Sequence, residues 1–419
     1  MNFNLHKHNP YSLIGSIIYP FGALAYAVTN LRKDGSKITL LLFITFFGYI
    51  FLTSTGADST HYAELLEWAH TQHGLSFEGF FSSLGSHDNI DYFNPLFTYI
   101  ISRFTSNAHV YFMIYAFIWG LFYVNSIYAI LNACHNNFNK MTALIFAVFA
   151  MVCSINDFGG IRMPFAFQLF LYGVFAYYLK NKKSAAVWVV LSMFVHFSMF
   201  AFVILFFIFL IIKELKINYF FIFFIIAHIL NSVDMGIVQT LFSYLPGDIA
   251  NRLMLYTNEA NMELMESGGK FYLGAMNIWG RLDSIILRMY ILVNFILLFL
   301  SKDCCKIIKQ GNSVFVKFSL FIYGSALILA NMPSGYRFIL PAAMICMAYF
   351  ILIYNNNRQL WGHMRKVNYV MSPFLVVFLL HRFRFVLDQV GISLFCSNYI
   401  TMFFMDDKMS VLNAIKSIL

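Results

Sequence analysis

Three arginines in this sequence follow asparagine and glycine at similar spacings. Asn156–Arg162 and Asn331–Arg337 both read Asn-x-x-x-Gly-x-Arg, and Asn277–Arg281 is a looser third copy. Each arginine stands at the head of an apolar run, where a helix N-terminus offers unpaired N–H groups and the positive end of the helix dipole. Because arginine pairs well with phosphate and carboxylate, the pattern predicts anion binding. The alternative is that Asn and Gly form ordinary turns and that each arginine anchors the end of its helix.

A carboxylate, an imidazole and a phenol lie close together near residue 60. Asp58 precedes His61 by three residues and Tyr62 by four, so the three share one face if a helix begins here. Such a group could act as a general base or hold a substrate hydroxyl, whereas the simpler alternative is a helix-capping Asp58. His196, followed by Ser198, is either a second candidate base or a buried histidine bonded to a carbonyl.

The composition excludes several classes of protein. Of the 419 residues, 60% are apolar and only 11% are charged, whereas an ordinary soluble domain has about 25% charged residues. A bilayer must therefore surround most of the chain, which excludes soluble enzymes, disordered proteins and nucleic-acid-binding domains. The six cysteines have no metal-ligand spacing, and Walker A, GxGxxG, HExxH and GxSxG motifs are absent. The sequence predicts no metal and no other cofactor.

The apolar runs predict an all-α polytopic membrane protein with a single transmembrane domain over residues 1–419. A hydrocarbon core about 30 Å thick needs roughly 20 residues per helix. The predicted spans are 12–31, 38–54, 108–131, 141–156, 163–180, 184–212, 217–234, 282–301, 314–331, 335–354 and 369–391. The run 184–212 is too long for one span and short for two. We expect a broken, re-entrant hairpin that turns at His196–Ser198, and 11–12 passes in all.

The basic residues predict the orientation of the chain. Lysine and arginine cluster in five short connections, which the positive-inside rule places in the cytoplasm. Two long connections, 55–92 and 236–280, then face outward, and the first contains no lysine or arginine. Long ordered loops often carry function, so we expect the outer side to be the working side.

Three further arginines lie within apolar segments. Arg288 comes seven residues after Arg281 and so on nearly the same helix face, and Arg382 and Arg384 fall in the last predicted span. An arginine at the bilayer centre costs about 2.5–3.5 kcal/mol on insertion scales, so several of them predict a polar cavity. The alternative for Arg382 and Arg384 is snorkelling to the headgroups or pairing with Asp388.

In order and in kind, these residues resemble those of the EpsG/Wzy-type bacterial polysaccharide polymerases. The resemblance runs from about residue 38 to 355 and rests on a Gly-x-Asp-x-x-x-Tyr element, an Ile-Arg at a helix start, a His-x-Ser and a late outer arginine: Gly56, Asp58, Tyr62, Ile161, Arg162, His196, Ser198 and Arg337. Pro164 departs from the family pattern, and the tail after residue 391 has no counterpart in it.

The resemblance implies a GT-C-like glycosyltransferase bundle in the bacterial inner membrane that joins undecaprenyl-diphosphate-linked oligosaccharide repeat units at the periplasmic face. Polyprenyl diphosphate would be the leaving group, and neither metal nor nucleotide would be required. The expected partners are this lipid-linked oligosaccharide, the lipid bilayer and a chain-length regulator. Arg162 is predicted to be catalytic together with Asp58 or His196 as base. The predicted substrate-binding residues are Arg337, Arg281, Arg288, Arg382, Arg384, His61, Tyr62 and Tyr336.

Two other functions fit some of these features. A flippase for lipid-linked oligosaccharides would also place arginines in a cavity, but alternating access predicts charges reachable from both sides and two comparable halves. A membrane O-acyltransferase for glycans would use His196 as its base. Its cytoplasmic donor would require polar residues on the inner side, where the predicted loops are short and mostly basic.

Overall fold

The protein is all-α and polytopic. The computed structural model describes residues 10–33, 35–53, 58–72, 74–84, 91–230, 240, 244, 278–301, 313–331, 335–405 and 407–418. Within these ranges the structure has no strand, only an isolated antiparallel bridge between Phe51 and Val390. Nearly all of the predicted outer loop 236–280 and the turn residues 332–334 lie outside the described ranges.

The structure describes eighteen α-helices. In chain order they are α1 (Pro10–Ile18), α2 (Pro20–Thr29), α3 (Ser36–Ile50), α4 (Asp58–Thr71), α5 (Phe77–Ser83), α6 (Phe93–Ser102), α7 (Ala108–Ala133), α8 (Lys140–Val152), α9 (Arg162–Leu179), α10 (Ala186–Val195), α11 (Met199–Ile212), α12 (Ile217–Ile229), α13 (Ile278–Leu300), α14 (Ser313–Leu329), α15 (Ile339–Asn356), α16 (Arg358–Asp388), α17 (Ser393–Cys396) and α18 (Val411–Ile418). Short 3₁₀ turns precede α9, α10 and α15.

In the part of the chain that the structure describes, four segments are long and apolar enough to cross a membrane: Ala108–Ala133, Ile278–Leu300, Gly335–Asn356 and Met364–Asp388. Seven shorter apolar helices accompany them, and α11, at 14 residues, is one. At 1.5 Å per residue such a helix is about 21 Å long, less than a hydrocarbon core of about 30 Å.

The chain forms two compact units. The first comprises residues 1–133, 153–203 and 382–419, and the second comprises 134–152 and 204–381. In the first, α3 packs against α7, α7 against α9 and α9 against α10. In the second, α15 is the central helix, and it contacts α8, α13 and α14.

A neutral polar network lies inside the second unit. Tyr354 donates to Asn294 at 2.6 Å, Tyr290 donates to Asn368 at 2.6 Å, and the Asn368 amide lies 3.4 Å from the Asn294 oxygen. All four residues are buried. Because their polar groups satisfy one another away from water, the network fixes the mutual register of α13, α15 and α16.

The prediction of one span over 12–31 was wrong, because α1 ends at Ile18 and α2 begins at Pro20. Proline disfavours the helical conformation of the residue before it. Tyr19 accordingly has φ −145° and ψ 79°. The final helix also differs from the predicted 369–391, since α16 runs for 31 residues from Arg358 and contains Pro373.

The predicted break near His196–Ser198 is confirmed. Helix α10 ends at Val195, His196 is extended with φ −147° and ψ 119°, and α11 begins at Met199. The connection 55–92, predicted to face outward, contains α4 and α5 and is followed by α6, a 10-residue helix that was not among the predicted spans. The 10 residues of α6 are about half of the roughly 20 that a membrane-spanning helix needs.

Gly48 makes possible the close packing of α3 on α7. A Cβ added at Gly48 would overlap the Ala116 Cβ and lie 2.6 Å from the Phe112 carbonyl oxygen. At Gly15 in α1, by contrast, an added Cβ would meet no atom within 4 Å.

We expect Gly48→Ala to destabilise the protein by about 1–3 kcal/mol, the usual cost of overpacking. The control Gly15→Ala gains helix propensity and is expected to be neutral or stabilising by up to about 1 kcal/mol. The measurement is thermal unfolding of both variants in detergent. Equal unfolding temperatures would contradict the close contact at Gly48.

Candidate functional site

Asp91 is the centre of a polar cluster in the first unit. It lies just before α6, and its side chain is only 1% exposed. Its Oδ2 lies 2.8 Å from His196 Nδ1 and 3.4 Å from Arg162 Nη1. Its Oδ1 accepts the backbone N–H of Phe197 at 2.8 Å. One carboxylate thus joins the start of α9 to the break between α10 and α11.

The broken helix explains why a carboxylate is needed here. Extended residues between two apolar helices leave backbone N–H groups that no helix satisfies, and each such group is costly when buried. Asp91 accepts one of them from Phe197, while the 3₁₀-type bond from Met199 N–H to the His196 carbonyl, at 3.0 Å, closes the turn. The buried charge of Asp91 is in turn balanced by Arg162.

Arg162 is the first residue of α9 and is held on two sides. Its Nε donates to the Tyr62 hydroxyl at 3.0 Å and its Nη1 donates to Asp91. A guanidinium has five N–H donors, so three remain for a ligand. The Arg162 side chain is 25% exposed, so the residue is not sealed inside the protein.

The residue before Arg162 is backbone-strained. Ile161 is fully buried and has φ 35°, a left-handed value that a β-branched residue rarely adopts. The Tyr115 hydroxyl donates to its carbonyl at 2.7 Å. Strain of this kind costs about 1–3 kcal/mol and is concentrated at functional sites. Here it directs the chain from the 3₁₀ turn Ile155–Gly160 into α9 with Arg162 facing the cluster.

The cluster shifts the acidity of its members. Burial opposes ionisation of Asp91, but the hydrogen bond and charge of His196, the Phe197 N–H and the charge of Arg162 together outweigh burial and lower the pKa of Asp91. Burial raises the pKa of Tyr62 to about 12, against the opposing effect of Arg162. Asp91 is therefore an anion and Tyr62 a neutral hydroxyl near neutral pH.

His196 has the geometry of a general base. When its Nδ1–H donates to the Asp91 carboxylate, Nε2 is left as the proton acceptor. A carboxylate that orients an imidazole in this way is the usual arrangement for proton abstraction. The His196 side chain is 16% exposed. Among the described residues, the buried Ser198 hydroxyl has no hydrogen-bond partner.

Asp58 and His61 lie at the edge of this cluster. Asp58 is the first residue of α4, as expected, and is exposed. His61 is also exposed, and its ring centroid lies 5.9 Å from that of the neighbouring Tyr62. Asp58 is close enough to contribute to the raised pKa of Tyr62.

Arg382 forms a second ion pair in the same unit. Its Nη1 lies 3.4 Å from Asp157 Oδ1, in the 3₁₀ turn that leads to Arg162. Asp388, the partner that the sequence offered as an alternative for Arg382 and Arg384, accepts a hydrogen bond from Ser410. Arg384 is exposed on α16.

The remaining predicted arginines belong to the second unit. Arg337 and Tyr336 lie in the 3₁₀ turn Gly335–Phe338 before α15, with the Arg337 guanidinium 5.9 Å from the Tyr336 ring. Arg337 therefore enters its helix through a 3₁₀ turn, as Arg162 does. Arg281, from the looser copy, is exposed in the first turn of α13, and Arg288 donates to the His228 carbonyl at 3.0 Å.

Sequence reasoning missed two acids. Asp91 was one of several acids in a long loop, and 105 residues separate it from His196, so nothing local marked it. In the second unit Asp283 lies 2.7 Å from His381 Nδ1, and both residues are buried. A buried histidine in an apolar span was a usable signal for a carboxylate partner.

The model of the EpsG family matches residues 37–401, which is most of the chain. The match includes Tyr62, Asp91, Arg162 and His196. No curated protein and no solved structure matches this chain.

The lowered pKa of Asp91 predicts an acid-dependent stability. The folded protein keeps Asp91 ionised at a pH where the unfolded chain, with an aspartate pKa of about 3.9, becomes protonated. This stabilisation is complete above the unfolded value and is lost as the pH falls through the lower, folded value. We expect Asp91→Asn to be less stable than wild type by about 3 kcal/mol at pH 6–7.

We expect this difference to shrink below about pH 4. Thermal unfolding in detergent between pH 3 and 7 measures it, with Glu64→Gln on the exposed face of α4 as the matched control. A difference between wild type and Asp91→Asn that stays constant down to pH 3 would contradict the assigned ionisation.

Proposed function

The chain belongs to the EpsG family, and on this basis we propose that it joins undecaprenyl-diphosphate-linked oligosaccharide repeat units as a glycosyltransferase at the outer face of the bacterial inner membrane. Family membership indicates a polysaccharide polymerase-type function, and the apolar helices indicate a membrane protein. The lipid carrier, the leaving group and the orientation are our proposal. We propose the lipid-linked oligosaccharide and a chain-length regulator as partners.

The observation that carries the proposal is the joining of Arg162 and His196 by one buried carboxylate. In the reaction, an acceptor hydroxyl attacks the anomeric carbon of the donor glycan, and the bond from that carbon to the diphosphate oxygen breaks. The hydroxyl proton passes to the base, and the electron pair leaves with the diphosphate. The site offers a proton acceptor and a fixed cation for these two events.

Arg162 is suited to bind the departing diphosphate. Three N–H donors remain on its guanidinium, and the helix N-terminus adds its partial positive charge. Because Asp91 and Tyr62 hold the Arg162 guanidinium in place, it can stabilise the charge that develops on the diphosphate without having to reorganise. This chemistry assigns the activation of the donor to its own diphosphate, so we propose that neither a metal nor a nucleotide takes part.

His196 is the better supported of the two candidate bases. Asp91 orients its imidazole at 2.8 Å, whereas Asp58 is exposed at the start of α4. We propose that Asp58, His61 and Tyr62 bind sugar or diphosphate near this base. Arg337, Arg281, Arg288, Arg382, Arg384 and Tyr336 remain predicted substrate-binding residues.

Deletion of the gene, followed by restoration, tests the reaction class. Gel analysis of the surface glycan should show collapse from a ladder to a single repeat unit, because export and transfer continue without polymerisation. Complete loss of surface glycan with lipid-linked units trapped on the inner leaflet would support a flippase instead. An unchanged ladder with altered acetylation would support an O-acyltransferase.

Restoring the gene with Arg162→Ala tests the site. We expect a single repeat unit, a loss of at least about 100-fold in polymerisation, which is the usual effect of removing one transition-state donor. Arg162→Lys keeps the positive charge but loses the planar set of guanidinium N–H donors, so it should restore only short glycan chains. The control is Arg365→Ala, an exposed arginine in α16. Wild-type ladders from both Arg162→Ala and Arg337→Ala, at normal protein levels, would overturn the arginine assignment.

A further inference from the structure

The C-terminal tail, which has no counterpart in the polymerase pattern, lines one side of an open cavity in the first unit. The cavity has a volume of about 600 Å³. Its aromatic wall is formed by Phe51 and Phe112, and Asp407, Lys408 and Asn413 of the tail line it together with Asp388. This volume falls within the range of about 300–1,000 Å³ that is typical of small-molecule sites, and most of the exposed lining is polar.

Backbone contacts hold the tail in place. Val411 N–H donates to the Val390 carbonyl at 2.8 Å, and Leu52 N–H donates to the Gln389 carbonyl at 2.8 Å. The Phe403 ring lies 4.9 Å from that of Tyr49 in α3. The cavity is therefore bounded by chain segments that are fixed to one another.

Asp407 is positioned by its neighbours. It accepts hydrogen bonds from the Ser393 backbone N–H, at 3.1 Å, and from the Ser393 hydroxyl. A Cβ at Gly391 would overlap the Asp407 side chain, so only glycine fits there. On the opposite side, Asp388 accepts from Ser410 at 3.2 Å.

The lining carries the groups that recognise a polyhydroxylated ligand. Two carboxylates accept hydrogen bonds from hydroxyls, and the Asn413 amide both donates and accepts. His109 Nδ1 lies 2.7 Å from the Tyr49 carbonyl, so Nδ1 is the donor and Nε2 is left as an acceptor. Phe51 and Phe112, with ring centroids 5.2 Å apart, are both buried and pack against each other beneath these polar groups.

The cavity adjoins the Asp91 cluster through Phe51. A Cβ at Gly159 would lie 3.0 Å from Phe51 Cζ, so this ring forms a wall of the cavity and packs against the 3₁₀ turn that leads to Arg162. The Tyr62 hydroxyl lies 3.4 Å from the carbonyl of Gly160 in the same turn. The cavity and the Asp91 cluster therefore lie on opposite sides of the Phe51 ring.

We propose that this cavity is a saccharide subsite that binds sugar residues of the lipid-linked repeat unit. The inference rests on the proposed polymerase function. The family match ends at residue 401, whereas Asp407, Lys408 and Asn413 follow it. Residues beyond the shared family region therefore line the subsite, so it selects the repeat unit particular to this chain.

Cysteine protection tests binding directly. The full-length protein, with Cys304, Cys305 and Cys396 changed to serine, carries Asn413→Cys in the cavity or Ser417→Cys as the control on the same helix α18. Each is labelled with a maleimide in detergent, with and without oligosaccharides released by partial acid hydrolysis from the surface glycan of the producing cells. We expect the saccharide to slow labelling of Asn413→Cys at least threefold and to leave Ser417→Cys unchanged.

A second reporter and a cell assay keep the test decisive. Thr53→Cys lies on another wall of the cavity and should be protected in the same way, even if Asn413 itself contributes to binding. In cells, Asn413→Ala should shorten the glycan ladder without collapsing it to one unit. If gene deletion collapses the ladder but neither cysteine is protected and Asn413→Ala gives wild-type chains, the subsite is wrong and the polymerase stands. If deletion leaves the ladder intact, the polymerase proposal fails.

Discussion

The arrangement of the first unit depends on one buried carboxylate. Asp91 accepts from an imidazole and a backbone N–H on one side and pairs with a guanidinium on the other. Without it, the extended residues at His196 would leave unsatisfied backbone polar groups between two apolar helices, and Arg162 would be a cation without its counter-charge. The interaction that permits a helix to stop inside the bundle is the same one that brings a candidate base beside a candidate anion site.

The two units differ in how their polar groups are used. Besides the buried Asp283–His381 pair, the second has a neutral network in which Tyr290, Asn294, Tyr354 and Asn368 satisfy one another. Such a network fixes helix register and has little to offer a reaction. The first unit concentrates ionised groups and a strained residue, Ile161, around a partly exposed guanidinium. Strain and partly exposed charge are costly to stability, so their presence together favours a functional explanation.

The sequence was sufficient to predict features that depend on local chemistry. The length of the apolar run 184–212 predicted the break at His196, and the turn residues before an apolar run predicted the arginine at the head of α9. The helix at Asp58, which the hypothesis about Asp58, His61 and Tyr62 required, is present. It was insufficient where the decisive contact was distant. Asp91 looks like any loop acid until α6, α9 and α10 pack together, and the pairing of Arg382 with Asp157 joins residues 225 positions apart. The first span failed for a local reason that hydropathy does not weigh, the effect of Pro20 on Tyr19.

The long separation between Asp91 and His196 also has a consequence for biosynthesis. At a translation rate of about 5–20 residues per second, the 105 residues between them take about 5–20 s to make. During that interval Asp91 has been synthesised, but its hydrogen-bond partners, the His196 imidazole and the Phe197 N–H, have not. Helix α6 can already pack against α4 and α5, which precede it in the chain, but the Asp91 cluster can close only after the break between α10 and α11 has been synthesised. The site is thus completed later than the helix contacts around it.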